Sequence, residues 1–228
     1  MTFRLLTCFS LIGAALGAAT LQANVELIDA KKKGSPEGIV VWLEPVGPSP
    51  PPIPGKFILD QRNKRFLPHI LTVPVGSQVD FPNHDPIFHN AFSNFAGQPF
   101  DTGLYAPGTS QKIIFRRPGV VRVFCNIHAQ MSAVIVVVPS LYFATSKANG
   151  TIRIENVPDG EYTMRVFHER ATEKTLNALD RRIAVTGNLD VGTVKISEIG
   201  YLEVAHKNKH GREYPAVPAE LGPYPGKK

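Results

Sequence analysis

The sequence predicts an all-β protein, and three observations favour that fold class. Short runs rich in Val, Ile and Phe alternate with polar residues, as in strands that are buried on one face. The chain has 20 prolines and 19 glycines, which divide those runs with turns. No segment of the sequence has a long helical period with capping residues, and the best short helix candidate is 171–182, ATEKTLNALDRR. We therefore expect strands arranged as antiparallel sandwiches.

Residues 1–23 have the pattern of an export signal. The basic residue Arg4 precedes an apolar run, and small residues offer cleavage positions after Ala19 or Ala23. The apolar run is too short to cross a bilayer comfortably, so we expect no integral membrane span. The sequence thus predicts a periplasmic or otherwise exported protein.

The rest of the chain divides into segments of different composition. Residues 24–45 indicate a strand, a Lys-Gly turn and a second strand, and residues 46–55, VGPSPPPIPG, form a proline-rich connector that cannot join the interior of a sheet. Residues 56–139 contain a series of strands separated by Gly and Pro, and residues 140–205 contain further strands. The tail, 206–228, is basic and rich in Pro and Gly, which predicts disorder.

Four residues have the side chains to bind one metal ion together. Cys125, His128 and Met131 follow one another in the short segment 124–131, FCNIHAQM, and His89 lies in an earlier loop, PIFHN. A thiolate, two imidazoles and a thioether are the ligand set of a mononuclear (type 1) copper site. The sequence therefore predicts a copper site formed by two separate loops.

The cysteine count supports a ligand role for Cys125. The chain has two cysteines, and Cys8 falls in the export signal, so the exported protein keeps a single thiol that can form no internal disulfide. Cys125 is then either a reactive thiol or a metal ligand, and His128 three residues later favours the ligand.

Three assignments leave alternatives open. His84 competes with His89 in the same loop, although His84 sits in a proline-flanked turn and His89 heads a predicted strand. Met131 could be a core residue that opens the next strand, with Gln130 or a backbone carbonyl as the axial ligand. Zinc is the alternative metal, since thiolate and imidazole bind both ions.

Two segments resemble the cupredoxins, the plastocyanin-like copper proteins. They are residues 66–93, FLPHILTVPVGSQVDFPNHDPIFHNAFS, and residues 119–131, GVVRVFCNIHAQM. Within that family the chain looks most like the exported cupredoxin-domain proteins labelled methylamine utilization proteins, which share the CNIHxxM loop and a following NVPxGxYxxxVxHE segment. The resemblance implies a Greek-key sandwich, one copper ion that cycles between Cu(I) and Cu(II), and one-electron transfer in the periplasm. It also implies that Asn90, after the first ligand, hydrogen-bonds across to the ligand loop.

The ligand loop is shorter than the resemblance would imply. In plastocyanins four residues separate the loop His from the axial Met, whereas only Ala129 and Gln130 separate His128 from Met131 here. Dinuclear copper domains share the shorter spacing, but they need a second cysteine where this chain has Val121. The expectation is therefore a mononuclear site, with copper that is more open or tetragonal than in plastocyanin.

A second resemblance concerns the segments on either side. Residues 146–169 look like the latter half of a carboxypeptidase-regulatory or prealbumin-like sandwich, with turns at Gly150 and Gly160 and alternating apolar residues between them. Residues 24–45 look like the opening hairpin of the same fold. Our hypothesis is that the cupredoxin-like segment is inserted into this smaller sandwich. The alternative is two sandwiches in series, with the hairpin packed on the cupredoxin.

Composition and motifs narrow the function classes. The formal net charge of +6 favours a redox partner with an acidic surface, and no aromatic-basic pattern supports nucleic-acid binding. The sequence has no hydrolase motif, phosphate loop or additional His-x-His pairs, so we expect no enzyme activity. The prediction is an electron carrier with the edge of His128 as its electron port. The alternatives are a periplasmic copper carrier, or a structural or glycan-binding module with a vestigial copper site.

The remaining histidines of the predicted domains are expected to be structural or solvated, and not ligands of the copper site: His69, His168, His206 and His210.

Overall fold

The computed structural model describes residues 18–29, 34–94, 97–203 and 205–215. Within these ranges the chain forms seventeen strands and one short helix, α1 (Glu173–Leu179), so the expected all-β fold is confirmed. The helix lies inside the candidate segment and begins where the side chain of Thr172 accepts the N–H of Thr175. Among the described residues no helix is long and apolar enough to span a membrane.

In chain order the strands are β1 (Ala18–Ile28), β2 (Val40–Pro45), β3 (Lys56–Ile58), β4 (Asp60–Arg62), β5 (Arg65–Leu67), β6 (Ile70–Pro74), β7 (Gln78–Pro82), β8 (Phe92–Ser93), β9 (Phe100–Asp101), β10 (Ser110–Ile114), β11 (Gly119–Phe124), β12 (Ser132–Val138), β13 (Tyr142–Thr145), β14 (Thr151–Pro158), β15 (Gly160–Phe167), β16 (Arg181–Val185) and β17 (Leu189–Ser197).

The first two and the last five strands form the smaller sandwich. One of its sheets has the order β14-β1-β17, and the facing sheet has the order β13-β2-β15-β16. Alternate apolar residues of both sheets meet in one core, in which Leu21, Leu43, Ile152 and Met164 are almost completely buried. Strand β2 therefore pairs with β13 and β15, which follow the central segment in sequence.

Strands β3 to β12 form the central sandwich. One sheet has the order β6-β12-β11-β8-β9, and the facing sheet has the order β10-β7-β3, with β4 and β5 as a separate hairpin. Phe81, Phe115, Val123 and Ile135 are fully buried between these sheets. The same core contains Cys125, so one end of this sandwich carries the predicted ligands.

A third apolar layer joins the two sandwiches. It consists of Val134 and Val136 on the outer face of β12, with Val40 of β2 and Phe167 of β15 packed against them. Ala133, Ile135 and Val137 of β12 point into the central core instead, so β12 is buried on both faces. A strand of this kind is a continuous apolar run, as the sequence SAVIVVV shows.

Strand β1 overlaps the end of the predicted export signal. Residues 1–17 of that signal lie outside the described residues, whereas Ala18 already pairs with Pro158. Cleavage after Ala19 would leave most of β1, including the fully buried Leu21. Cleavage after Ala23 would remove Leu21 and leave a gap in the smaller core. The packing therefore favours the earlier of the two expected cleavage positions.

Candidate metal centre

Three of the four predicted ligands converge at one end of the central sandwich. Within the described residues, His89, Cys125 and His128 form a cluster whose potential ligand atoms all lie within 4.8 Å of one another. The Cys125 sulfur is 3.8 Å from Nδ1 of His89 and 3.7 Å from Nδ1 of His128. The two imidazole rings meet edge to face at a centroid distance of 4.8 Å.

These separations fit a single metal ion. A metal bonded to sulfur at about 2.3 Å and to nitrogen at about 2.0 Å, with about 120° between the bonds, separates the two donor atoms by about 3.7 Å. Both sulfur–nitrogen distances in the cluster are close to that value. A thiolate and two imidazoles at these sulfur–nitrogen separations are a donor set that suits a copper or zinc ion.

The ligand loop closes the antiparallel pair formed by β11 and β12. Cys125 follows the last residue of β11, and its backbone N–H donates to the carbonyl of Met131 at 3.2 Å. The N–H of Met131 in turn donates to the carbonyl of His128 at 3.0 Å. These bonds form a tight loop that brings Cys125 and His128 to the same end of the sheet.

Met131 and its competitors occupy different environments. Met131 is fully buried in the same apolar core as Cys125, whereas Gln130 is exposed. The predicted axial role of Met131 stays a prediction, with the side chain on the buried side of the loop. His84 does not join the cluster, because its ring is exposed and bonds to Asp60 at 2.5 Å.

His89 is held by its backbone and by a buried carboxylate. It does not head a strand as expected, because β8 begins only at Phe92, and it forms instead an isolated bridge with Tyr105. Its Nε2 lies 2.8 Å from Oδ2 of Asp85, and both side chains are almost completely buried. With Nε2–H donated to Asp85, the lone pair of Nδ1 faces the Cys125 sulfur, which is the tautomer that a metal ligand needs.

Asp85 links this histidine to a neighbouring hairpin. Its carboxylate also accepts the backbone N–H of Asn63 at 2.6 Å and of Lys64 at 2.8 Å, in the turn between β4 and β5. Sequence analysis missed Asp85, although it lies four residues before His89 in DPIFH. That spacing carries little information outside a helix, so only the tertiary structure identifies the pair.

Asn90 makes the contact that the resemblance implied. Its Oδ1 accepts the backbone N–H of Asn126 at 2.7 Å, and its Nδ2 lies 3.3 Å from Oδ1 of Asp101. The residue after the first histidine thus joins the two loops that carry the ligands. This bond fixes the position of the loop immediately after Cys125.

Burial keeps all three groups uncharged in the metal-free protein. Burial, and then the neighbouring His89 and Lys64, lower the pKa of His128 to about 4. Burial also lowers the pKa of His89, although Asp85 opposes that effect, and it raises the pKa of the Cys125 thiol. At neutral pH both imidazoles are therefore free bases, and the thiol loses its proton only when a cation replaces it.

The chain after β17 returns to the ligand loop. Residues 205–215 form the C-terminal strap. From residue 206 onward this segment was expected to be disordered, yet the ring of His206 stacks on Phe124 with centroids 4.0 Å apart. The hydroxyl of Tyr214 donates to the carbonyl of Cys125 at 2.7 Å. Residues 216–228 of the predicted tail lie outside the described residues. Two aromatic rings within a basic stretch were the signal in the sequence that this segment packs against the protein.

No protein-family model matches the chain, and neither does any curated protein. Several solved structures do match. A copper-containing nitrite reductase from Thermus scotoductus SA-01 is 28% identical over 43% of this chain and 26% of its own, with a TM-score of 0.35. A purple cupredoxin from Nitrosopumilus maritimus is 24% identical over 37% of this chain and 99% of its own, with a TM-score of 0.33.

A Cu(I) amicyanin variant is 17% identical over 36% of this chain and 82% of its own, with a TM-score of 0.35. The descriptions of all three name copper or a cupredoxin. Each match spans less than half of this chain, and the chain spans 26% of the nitrite reductase. The functional conclusion therefore rests on the geometry of the site itself.

Proposed function

We propose that this chain is an exported mononuclear copper protein that carries single electrons between periplasmic redox partners. The observation that supports this most directly is the convergence of Cys125, His89 and His128, with sulfur–nitrogen distances that one metal ion can bridge. Copper, when bound, would supply the one-electron couple between Cu(I) and Cu(II). Export is supported by the pattern of residues 1–23.

The protein's part in electron transfer is to keep the ligands still. Asp85 fixes the ring of His89, and Asn90 joins the two ligand-bearing loops, so the three donor atoms keep one arrangement. The site also lies against the apolar core that contains Met131. A ligand set that hardly moves when the charge of the metal changes needs little rearrangement, which favours fast electron transfer.

The half-buried His128 is the proposed electron port, and exposed apolar residues adjoin the ligands and the bridge residue in sequence. Ile127 precedes it in the ligand loop, Phe88 precedes His89, and Leu104 precedes the residue that bridges to His89; all three side chains are exposed. A partner can approach such a surface without removing charged groups from water.

The charge of the protein suits an acidic partner. The net charge is +6, and the positive charge of Lys64 contributes to the lowered pKa of both His89 and His128. Positive charge close to the port would steer an acidic protein toward it, an effect on the association rate more than on affinity.

The first experiment is a visible spectrum of the metal-free exported chain titrated with Cu(II). We expect an intense sulfur-to-copper charge-transfer band that saturates at one copper per chain and is reversibly bleached by reductant. Cys125→Ser should abolish the band, and Met131→Ala should shift it if the thioether is the axial ligand. Met164→Ala is the matched control, since Met164 is a buried methionine of the smaller sandwich and should leave the band in place.

Other results would direct attention elsewhere. A saturating band that reductant does not reversibly bleach would favour the copper carrier over the electron carrier. Weak or non-stoichiometric copper uptake without a band would reject a copper function and leave the smaller sandwich as the candidate binding module.

A further inference from the structure

We propose that the C-terminal strap, residues 205–215, is a working part of the metal centre, in which Tyr214 and His206 are positioning residues that hold the ligand loop in its metal-binding shape. This inference rests on the proposed function, because it assigns the strap to the same site. The strap follows β17, the last strand among the described residues.

The strap contacts the ligand loop at three successive places. The hydroxyl of Tyr214 donates to the carbonyl of Cys125 at 2.7 Å, and the backbone N–H of Lys209 donates to Oδ1 of Asn126 at 3.0 Å. Nε2 of His206 lies 2.7 Å from the carbonyl oxygen of Ala129, at hydrogen-bond distance. These groups belong to the loop that carries Cys125 and His128, so the strap supplies the loop with partners that the β11–β12 pair does not.

The strap is also ordered within itself and anchored at a second point. The Tyr214 hydroxyl lies 3.2 Å from Nδ1 of His206, whose ring stacks on Phe124, the last residue of β11. Nζ of Lys209 lies 2.6 Å from Asp101, the residue that Asn90 also contacts. A segment without regular structure is ordered here because several specific contacts act together.

As a consequence, both backbone polar groups of Cys125 are hydrogen-bonded. Its N–H donates to Met131, and its C=O accepts from Tyr214. With the backbone fixed in this way, the direction of the Cys125 side chain toward the two imidazoles is fixed as well. The strap also covers the ring of Phe124, and hydrogen bonding near the thiolate tunes the reduction potential of a copper site.

Binding of the strap to the loop and binding of the metal to the site are thermodynamically linked. If the strap favours the metal-binding shape of the loop, then the metal must favour the bound strap by the same factor. Backbone amides of 205–215 should therefore exchange with solvent more slowly in the copper-loaded protein than in the metal-free protein.

The test uses three single variants of the full exported chain. Tyr214→Phe removes the hydroxyl that bonds Cys125, and His206→Phe keeps a ring for stacking but removes the bond to Ala129. Tyr201→Phe is the control, because it removes a hydroxyl from the segment that precedes the strap. For each variant we would measure the charge-transfer band, the reduction potential, copper release to a chelator and amide exchange of residues 125–131.

The expected result is a shifted band and potential, copper release that is about tenfold faster, and faster exchange of the loop amides in Tyr214→Phe and His206→Phe. Tyr201→Phe should behave as the unmodified protein does. Unchanged band, potential and loop exchange in both strap variants would overturn the proposal, even if their thermal stability fell.

The design separates this proposal from the proposed function. If the unmodified protein forms no charge-transfer band, the electron-carrier proposal fails, yet loop exchange in the metal-free variants still decides whether the strap holds the loop. If the band forms in the unmodified protein, and Tyr214→Phe and His206→Phe change neither the band, nor the potential, nor the loop exchange, the strap proposal fails alone.

Discussion

The two sides of the candidate metal centre are held in different ways. His89 is clamped from inside the central sandwich, by the buried Asp85 and by backbone bonds to Tyr105. The loop that carries Cys125 and His128 has its own backbone bonds and a bond from Asn90, and it is held in addition from outside, by residues far along the chain. The difference indicates that the first side depends on the framework, while the second depends in part on groups that can be removed without touching the core.

The largest expected effect comes from a cavity in the core of the central sandwich, which supports both sides of the metal centre. Ile135 of β12 is fully buried opposite Val121, so Ile135→Ala leaves a cavity and should lower the free energy of unfolding by about 2–5 kcal/mol. Urea unfolding of the metal-free protein measures this, with Ile114→Ala on the exposed face of β10 as a control expected to have little effect. The copper band of the folded Ile135→Ala protein should keep its wavelength, and a shifted wavelength would show that framework and site are not separable.

A smaller change would loosen only the framework side. In Asp85→Asn the single amide oxygen can replace only one of the two carboxylate oxygens that accept the N–H groups of Asn63 and Lys64, and the negative charge next to Nε2 of His89 is lost. Copper affinity should fall about 10- to 100-fold, as measured by competition with a chelator. The matched control is Asp80→Asn, at a half-buried position in the middle of β7. Unchanged affinity in Asp85→Asn would mean that the backbone bonds to Tyr105 suffice to position His89.

The smallest expected effect is the pH dependence of copper affinity, to which the thiol and the two imidazoles contribute differently. The thiol of Cys125 has a raised pKa, so at neutral pH it is protonated in the metal-free protein and must release one proton on binding; both histidines have lowered pKa values and release none. Affinity should therefore rise about tenfold per pH unit across neutral pH. Below the His128 pKa of about 4, proton competition at that ring should steepen the dependence.

Calorimetry in buffers of different ionisation enthalpy would count the protons released on binding. A release of more than one proton at pH 7 would contradict the assignment of neutral histidines, and none would contradict the protonated thiol.

The sequence alone identified the three side chains that form the cluster, because thiol and imidazole groups are common metal ligands. Cys125 is the single cysteine outside the predicted export signal and a histidine follows it three residues later, and the cluster contains His89 with both of them. The all-β class was equally accessible, because alternating apolar runs and frequent turns depend only on local sequence. These features need no knowledge of tertiary contacts.

The supporting groups were beyond the sequence because they depend on contacts distant along the chain. The role of Asp85 depends on the β4–β5 turn, whose two N–H groups it accepts. The role of Tyr214 depends on the path of the tail, which brings its hydroxyl to the carbonyl of Cys125. The same tail has the composition of a disordered segment, so composition alone predicted disorder for residues that are ordered by a few specific bonds.

The strand order of the smaller sandwich fixes a sequence of events during folding. Strand β1 has partners only in β14 and β17 among the described strands, so that sheet cannot form until the chain as far as Ser197 is present. The strands from β3 to β12 are consecutive and pair among themselves. Strands that are distant in sequence pair slowly, because a long loop must close before any of their contacts form. We therefore expect the central sandwich to assemble first and the terminal strands to pack later on the outer face of β12, which carries Val134 and Val136.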